Sequence, residues 1–172
     1  MRSVDTSTVI AGNLAFQQSA TMSGDVGTET AIAWLESNNS GTTLQQSIFA
    51  QGYAASRQDP GSTQSWDAFW TSVLSGQSVT LTTDTTTGNT VSYAIQRLCN
   101  AAGDPVSPSV DCAVPQTTGT TAGSSKGSGV VALLYNSQIY YRITTRIAGP
   151  RNTVSYVQTI VDPKVFPPAL AG

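Results

Sequence analysis

The sequence predicts an α+β domain in which a long N-terminal helix packs on an antiparallel sheet of about four strands, with minor helices inserted between them. Three observations carry this prediction. Residues 4–37 mix polar and apolar side chains without strand alternation, and their alanines favour helix. Alternating strand patterns begin only after residue 77. Helical and strand patterns do not alternate along the chain, as they would in a doubly wound parallel sheet.

Composition narrows the class of function. The 172 residues fit one domain. Only 10% of them are charged, against about 25% in an average soluble protein. The net charge of -2 shows no excess of Lys and Arg that would contact phosphates, so we expect no nucleic-acid partner. The chain contains no His, which excludes a Ser–His or Cys–His nucleophile pair within it and removes the commonest metal ligand.

The N-terminal unit, residues 1–37, is predicted to be mostly helical. Its clearest helical segment is "ETAIAWLES" (29–37), which has an apolar face. Gly24 and Gly27 each weaken a helix by about 1 kcal/mol relative to Ala. They predict a curve or a break near residues 24–27.

Two short helices are predicted next, over residues 43–56 and 65–76, with Ser65 as an N-cap. Four apolar residues of the second helix share one side, which favours core packing over an exposed aromatic platform for a ligand. They are Trp66, Phe69, Trp70 and Val73.

Strand patterns dominate the remainder of the chain. Alternating apolar and polar residues, bounded by turn residues, predict strands at four places. These are 78–83, 90–98, 138–148 and 153–162. Residues 115–129 have the composition of a flexible Gly/Ser/Thr linker, residues 130–136 suit a short strand or a packed connector, and residues 163–172 form a proline-rich tail.

The two cysteines lie at the ends of "CNAAGDPVSPSVDC" (99–112), a turn-rich path that folds back readily. A Cys99–Cys112 disulfide would stabilise the fold by roughly 3 kcal/mol. It would indicate an oxidising compartment, meaning the periplasm, the cell surface or the outside. Two buried free thiols, or a reactive thiol, are the alternatives. A zinc site is poorly supported because zinc takes four ligands.

Two stretches resemble the PilX-like minor pilins of type IV pili. "IAGNLAFQQSATMSGDVGTETAIAWLES" (10–37) is similar to that family's helix after its membrane segment, through an A-G-N-x-x-F motif and an Ala-rich end. "YYRITTRIAGPRNTVSYVQTIV" (140–161) is similar to the family's last hairpin. The resemblance covers roughly a third of the chain, at its two ends.

The resemblance implies a structural protein: a pilin helix (1–37) followed by a globular head (38–172). A hydrophobic segment of about 25 residues would precede the helix and anchor it in the inner membrane. The chain would stand at the periplasmic face before assembly and in the extracellular pilus afterwards. Its implied partners are other minor pilins, the major pilin and a large tip adhesin. Together they prime pilus assembly and serve adhesion and twitching motility. No cofactor is implied.

An apolar stripe near the start of the helix is the candidate partner-binding face. In an isolated domain such a stripe is hard to explain, whereas a partner helix would cover it. The alternative is that it packs on its own sheet. The candidate residues are Val9, Ile10, Asn13, Leu14 and Phe16.

Other classes of protein remain open at this point. A type II secretion pseudopilin would share the architecture, and some such proteins bind Ca²⁺ through carboxylates in loops. Here Asp84, Asp104 and Asp111 are few for an ion that takes six to eight oxygens. A ligand-binding module would use exposed Trp66, Trp70 or the tyrosines at 140–141.

An enzyme is the weakest alternative. No pair of carboxylates has a supporting motif. The Ser and Lys of "SSKGS" (124–128) lie in the predicted linker, which would not hold a reacting geometry. We therefore expect neither catalysis nor a metal.

Overall fold

The computed structural model describes residues 2–114 and 139–162, without the side chains of residues 2–9 and Arg151. The predicted linker, the segment 130–136 and the proline-rich tail lie outside the described residues. The helices are α1 (Arg2–Asn38) and α2 (Trp66–Ser72). The strands are β1 (Tyr53–Ala54), β2 (Val79–Thr80), β3 (Thr90–Arg97), β4 (Tyr141–Ala148) and β5 (Val154–Val161). Short 3-10 turns cover Thr43–Gln45, Phe49–Gln51, Leu74–Gln77 and Pro150–Asn152.

The predicted α+β architecture is confirmed, with a sheet of five strands where about four were expected. The order is β1-β3-β4-β5, and β2 pairs with the same strand, β3, as β1 does. All pairings are antiparallel except that of β1 with β3. The long pairing of β3 with β4 runs from Thr90 opposite Ala148 to Arg97 opposite Tyr141. The predicted strand at 78–83 is shorter than expected, since only two of its residues pair as β2.

One face of the sheet packs on the downstream part of α1, residues 16–38. Alternate residues of β3 and β4 point to it, as their period-two pattern predicts. Ala31 and Leu35 of the helix are fully buried in this cluster with Ile95 and Ile143. Nearer the middle of the helix, Ala20 packs beside Val91 and Ile147.

Of the curve or break predicted near residues 24–27, the break is wrong, because α1 is continuous through them. Both glycines face the sheet and are buried. A Cβ at Gly27 would overlap Thr145 and lie 2.6 Å from a methyl carbon of Val91, and one at Gly24 would lie 3.0 Å from Val157. The glycines therefore let the helix backbone approach the strands, and that packing outweighs their poor helix propensity.

The helix predicted over residues 43–56 is also wrong. The segment forms two 3-10 turns and then β1, with Gly52 in the left-handed region at φ +73° between them. Tyr53 is completely buried, and its hydroxyl donates a 2.6 Å hydrogen bond to the carbonyl of Leu44. Burial of this ring and pairing with β3 override the local helical pattern.

The second predicted helix forms as α2, followed by a 3-10 turn. The Ser65 side chain caps it by accepting a hydrogen bond from the backbone N–H of Ala68 at 3.2 Å. Phe69 and Trp70 are buried against Ala94 and Tyr156, on the sheet face away from α1. The prediction of core packing for this aromatic side is confirmed for these two residues.

Candidate functional site

The upstream part of α1, residues 10–14, presents its apolar side chains to solvent. Ile10 is 62% exposed and Leu14 is 55% exposed. Asn13 lies between them in the sequence and is exposed as well. The side chain of Val9 lies outside the described residues. Helical geometry places Ile10 and Leu14 on one face, one turn apart, where they form an apolar surface that the head does not cover.

Phe16 differs from the other candidate residues because it packs on the head. Its ring belongs to the cluster around Ala20, Val91 and Ile147. It also lies so close to Gly149, just after β4, that any larger residue there would overlap the ring. The alternative that the stripe packs on its own sheet therefore describes Phe16, whereas Ile10 and Leu14 remain exposed.

A polar contact fastens the helix at the level where it meets the sheet. Asn89, only 2% exposed, lies just before β3. Its side-chain amide donates to the hydroxyls of Ser19 at 2.8 Å and Ser23 at 3.0 Å. Because hydrogen bonds to a buried group are costly to lose, this contact fixes the position of α1 on the head. The exposed residues 10–14 lie about one and a half to two and a half turns upstream of Ser19, the first residue of this contact.

The predicted disulfide is present between Cys99 and Cys112, whose Cα atoms are 3.9 Å apart. Cys99 is buried and joins the main core cluster. The bridge closes the loop that leaves β3, so the loop is tied to the sheet. The spacing of the two cysteines therefore predicted this disulfide correctly.

A buried arginine beneath the disulfide loop was not predicted. Arg97, 1% exposed, donates hydrogen bonds to the carbonyls of Ala55 at 2.9 Å, Ala101 at 3.2 Å and Gly103 at 2.9 Å. The guanidinium thus joins the loop to the chain after β1. No pattern in the sequence signals this contact, because Arg97 simply ends an alternating strand.

Two tyrosines lie near the Arg97 charge. Burial raises the pKa of Tyr53 and of Tyr141 above the ordinary value, and Arg97 acts in the opposite direction in both cases. Both rings are part of the main core cluster, and Trp34 of α1 contacts Tyr53 with ring centroids 5.5 Å apart. Tyr141 is therefore no part of an exposed ligand platform, and Tyr140 is half-buried.

The loop aspartates make local contacts. Asp84 accepts from the Thr86 N–H and the Thr87 hydroxyl, and these bonds lower the pKa of its carboxyl. Asp104 accepts from the N–H of Val106, and Asp111 accepts from the Asn100 amide. Within residues 2–114 and 139–162, no group of three His, Cys, Asp or Glu side chains is placed to hold a metal ion.

In comparisons with known proteins, no family model, no curated protein and no solved structure matches the chain. Across the part of the chain that the structure describes, no helix has both the length and the apolar character that crossing a membrane requires. The exposed upstream face of α1 is the feature that most needs a functional explanation.

Proposed function

We propose that this chain is a minor pilin of a type IV pilus, similar to the PilX-like proteins, which takes part in the complex that primes pilus assembly and stands at the tip. The observation that carries the proposal is the division of α1. Its downstream part is buried on the sheet of the head, and its upstream part exposes Ile10 and Leu14. A subunit that enters a filament through its helix needs this division.

The length of α1 supports the proposal. Its 37 residues extend about 55 Å, whereas the longest strands of the sheet have 8 residues and extend about 27 Å. A helix of twice that length cannot be covered by one sheet face. Its uncovered part is available to neighbouring subunits, which on this proposal are other minor pilins, the major pilin and a tip adhesin.

The disulfide supports the proposed location. Disulfides persist in the periplasm and outside the cell, and Cys99–Cys112 ties down the loop that follows the central strand β3. On this proposal the chain stands at the periplasmic face of the inner membrane before assembly and in the extracellular filament afterwards. Its role is structural and needs no cofactor.

The test is complex formation with the soluble heads of the candidate neighbouring minor pilins, followed by size-exclusion chromatography. We expect a stable complex that the double variant Ile10→Asp/Leu14→Asp abolishes. Phe16 is unsuitable for this test, because an aspartate there would damage the head on which its ring packs. The matched control is Phe49→Asp, since Phe49 is 45% exposed and belongs to the 3-10 turn Phe49–Gln51 rather than to α1.

A chain that stays monomeric with every head would contradict the tip-complex role. Equal losses in the helix variant and in Phe49→Asp would contradict the role of the upstream face. In either case the pseudopilin and ligand-binding alternatives would gain support, and the same assay with pseudopilin heads would separate them.

A further inference from the structure

The two edges of the sheet are built differently. On one side, the outer edge of β3 is covered by β1 and β2, which have only 2 residues each. The opposite edge is β5, which has 8 residues in an unbroken antiparallel register with β4. Among the residues that the structure describes, no strand pairs with the outer side of β5. That side is therefore a long open edge.

The hydrogen bonds at the ends of β4 show which backbone groups of β5 face outward. The N–H of Gly149 donates to the carbonyl of Thr153 at 2.8 Å. At the other end, the N–H of Leu98 donates to the carbonyl of Tyr140 at 2.9 Å, which fixes the same phase. Because bonded pairs alternate along an antiparallel ladder, the odd-numbered residues of β5 bond to β4. The outward N–H and C=O groups belong to Val154, Tyr156, Gln158 and Ile160.

The open edge carries none of the features that commonly prevent strands from pairing. The sequence of β5, VSYVQTIV, contains no charged residue and no proline, and its register with β4 shows no bulge. Two apolar side chains lie at its ends, where Val154 is 38% exposed and Ile160 is 63% exposed. Since side chains alternate between the faces of a sheet, both project from the same face.

Contacts on both faces hold β5 in place. On one face, Tyr156 packs against Trp70 with ring centroids 5.9 Å apart, and the amide of Gln158 donates to the hydroxyl of Thr144 at 3.0 Å. On the other face, Val157 packs beneath α1. An edge that is already ordered loses little conformational entropy when a further strand binds to it.

We propose that the outer edge of β5 binds an extended segment of another protein, which adds to the sheet as a further antiparallel strand. The outward backbone groups select an extended chain, because a strand supplies N–H and C=O groups at the matching spacing. Val154 and Ile160 favour branched apolar residues opposite them. Since β5 carries no charge, the segment it fits is uncharged as well. This inference does not depend on the proposed function.

Two peptides with identical side chains test the inference with the full chain. Each has 8 residues to match β5, alternating valine and threonine, with a lysine beyond each end for solubility. One is N-methylated at its valines and the other at its threonines. Valines opposite Val154 and Ile160 turn their own N–H groups towards β5. In an NMR titration we expect the valine-methylated peptide to bind at least about tenfold more weakly. Equal affinities, or no binding of the threonine-methylated peptide, would overturn the inference.

Hydrogen exchange of the backbone amides locates the added strand. In the free chain, Ser155, Val157 and Thr159 should exchange slowly, because their N–H groups face β4, whereas Tyr156 and Gln158 should exchange fast. The threonine-methylated peptide should slow exchange at these last two residues. Slow exchange there in the free monomer would show that the edge is already covered. Slow exchange that appears only as the chain dimerises would make a second copy the occupant. Either result would overturn the inference.

A proline at Ile160 removes an outward donor and leaves the hydrogen bonds to β4 in place. Ile160→Pro should weaken binding of the threonine-methylated peptide, because proline has no N–H. Ile160→Thr is the matched control, since it keeps the donor and the branched side chain and should bind nearly as well as the unaltered chain. Urea unfolding checks that both variants fold. Equal binding by the two variants would contradict the proposed edge, and the two peptides test the edge without any change to the chain.

Discussion

The upstream and downstream parts of α1 differ in a way that hydrophobicity alone does not explain. The upstream part has large apolar side chains, Ile10 and Leu14, and exposes them. The downstream part buries small residues such as Gly27 and Ala31. Burial along this helix follows contact with the sheet, and small residues such as Gly27 allow the backbone its closest approach.

The largest effect should come from removing a large side chain that the downstream part buries. Leu35→Ala should destabilise the head by about 3 kcal/mol, because Leu35 is fully buried among the main core residues. Leu14→Ala should change the free energy of unfolding by less than about 0.5 kcal/mol. Urea unfolding of both variants measures the difference, and a similar loss in each would show that the upstream part also packs.

The glycines sharpen the comparison. Gly27→Ala should destabilise by about 2 kcal/mol, since its methyl group would overlap Thr145 and crowd Val91. Gly12→Ala meets nothing within 4 Å and should favour the helix by up to about 1 kcal/mol. Thermal and urea unfolding check both. A neutral Gly27→Ala would mean that the helix does not lie so close to the sheet.

Alkaline pH should weaken the packing around the downstream part. Burial raises the pKa of Tyr53 and Tyr141, so above about pH 10 the unfolded chain loses protons that the folded chain keeps. The stability from each tyrosine is complete below about pH 10 and falls by up to about 1.4 kcal/mol per pH unit above it, until the pH passes the raised pKa of that tyrosine in the folded chain.

Unfolding free energies at about pH 9 and about pH 11 measure this loss. Tyr53→Phe is the control, because it should lower stability at both values through the lost bond to Leu44 but reduce the decline between them. An unchanged decline would assign the alkaline sensitivity to other groups.

The smallest effect should arise at the boundary between the two parts. Asn89→Ala removes the donor to Ser19 and Ser23 and should cost about 1 kcal/mol. Hydrogen exchange should quicken around residues 19–23 more than around Leu35. Asn38→Ala is a suitable comparison, since the Asn38 amide donates to the Trp34 carbonyl within its own helix. Uniform changes in exchange would contradict a local fastening.

Sequence patterns predicted those elements whose signals are local. The alternation of β3, β4 and β5 assigns successive side chains to the two faces of the sheet, and the Ser65 cap is a contact between near neighbours. The cysteine spacing predicted the disulfide, because a short turn-rich loop brings its own ends together. The α+β class follows from the order of these elements.

Only the tertiary structure decided the features that depend on distant residues. Gly24 and Gly27 read as helix breakers in sequence, yet the strands they touch lie more than 60 residues further along and keep α1 continuous. The segment before β1 has a helical pattern in the sequence but forms 3-10 turns, because this conformation buries Tyr53. Phe16 and Ile10 belong to one apolar stripe in the sequence, but Phe16 packs on the head and Ile10 stays exposed. A periodic pattern states which side chains share a face, and the contacts of the folded chain decide how much of that face is covered.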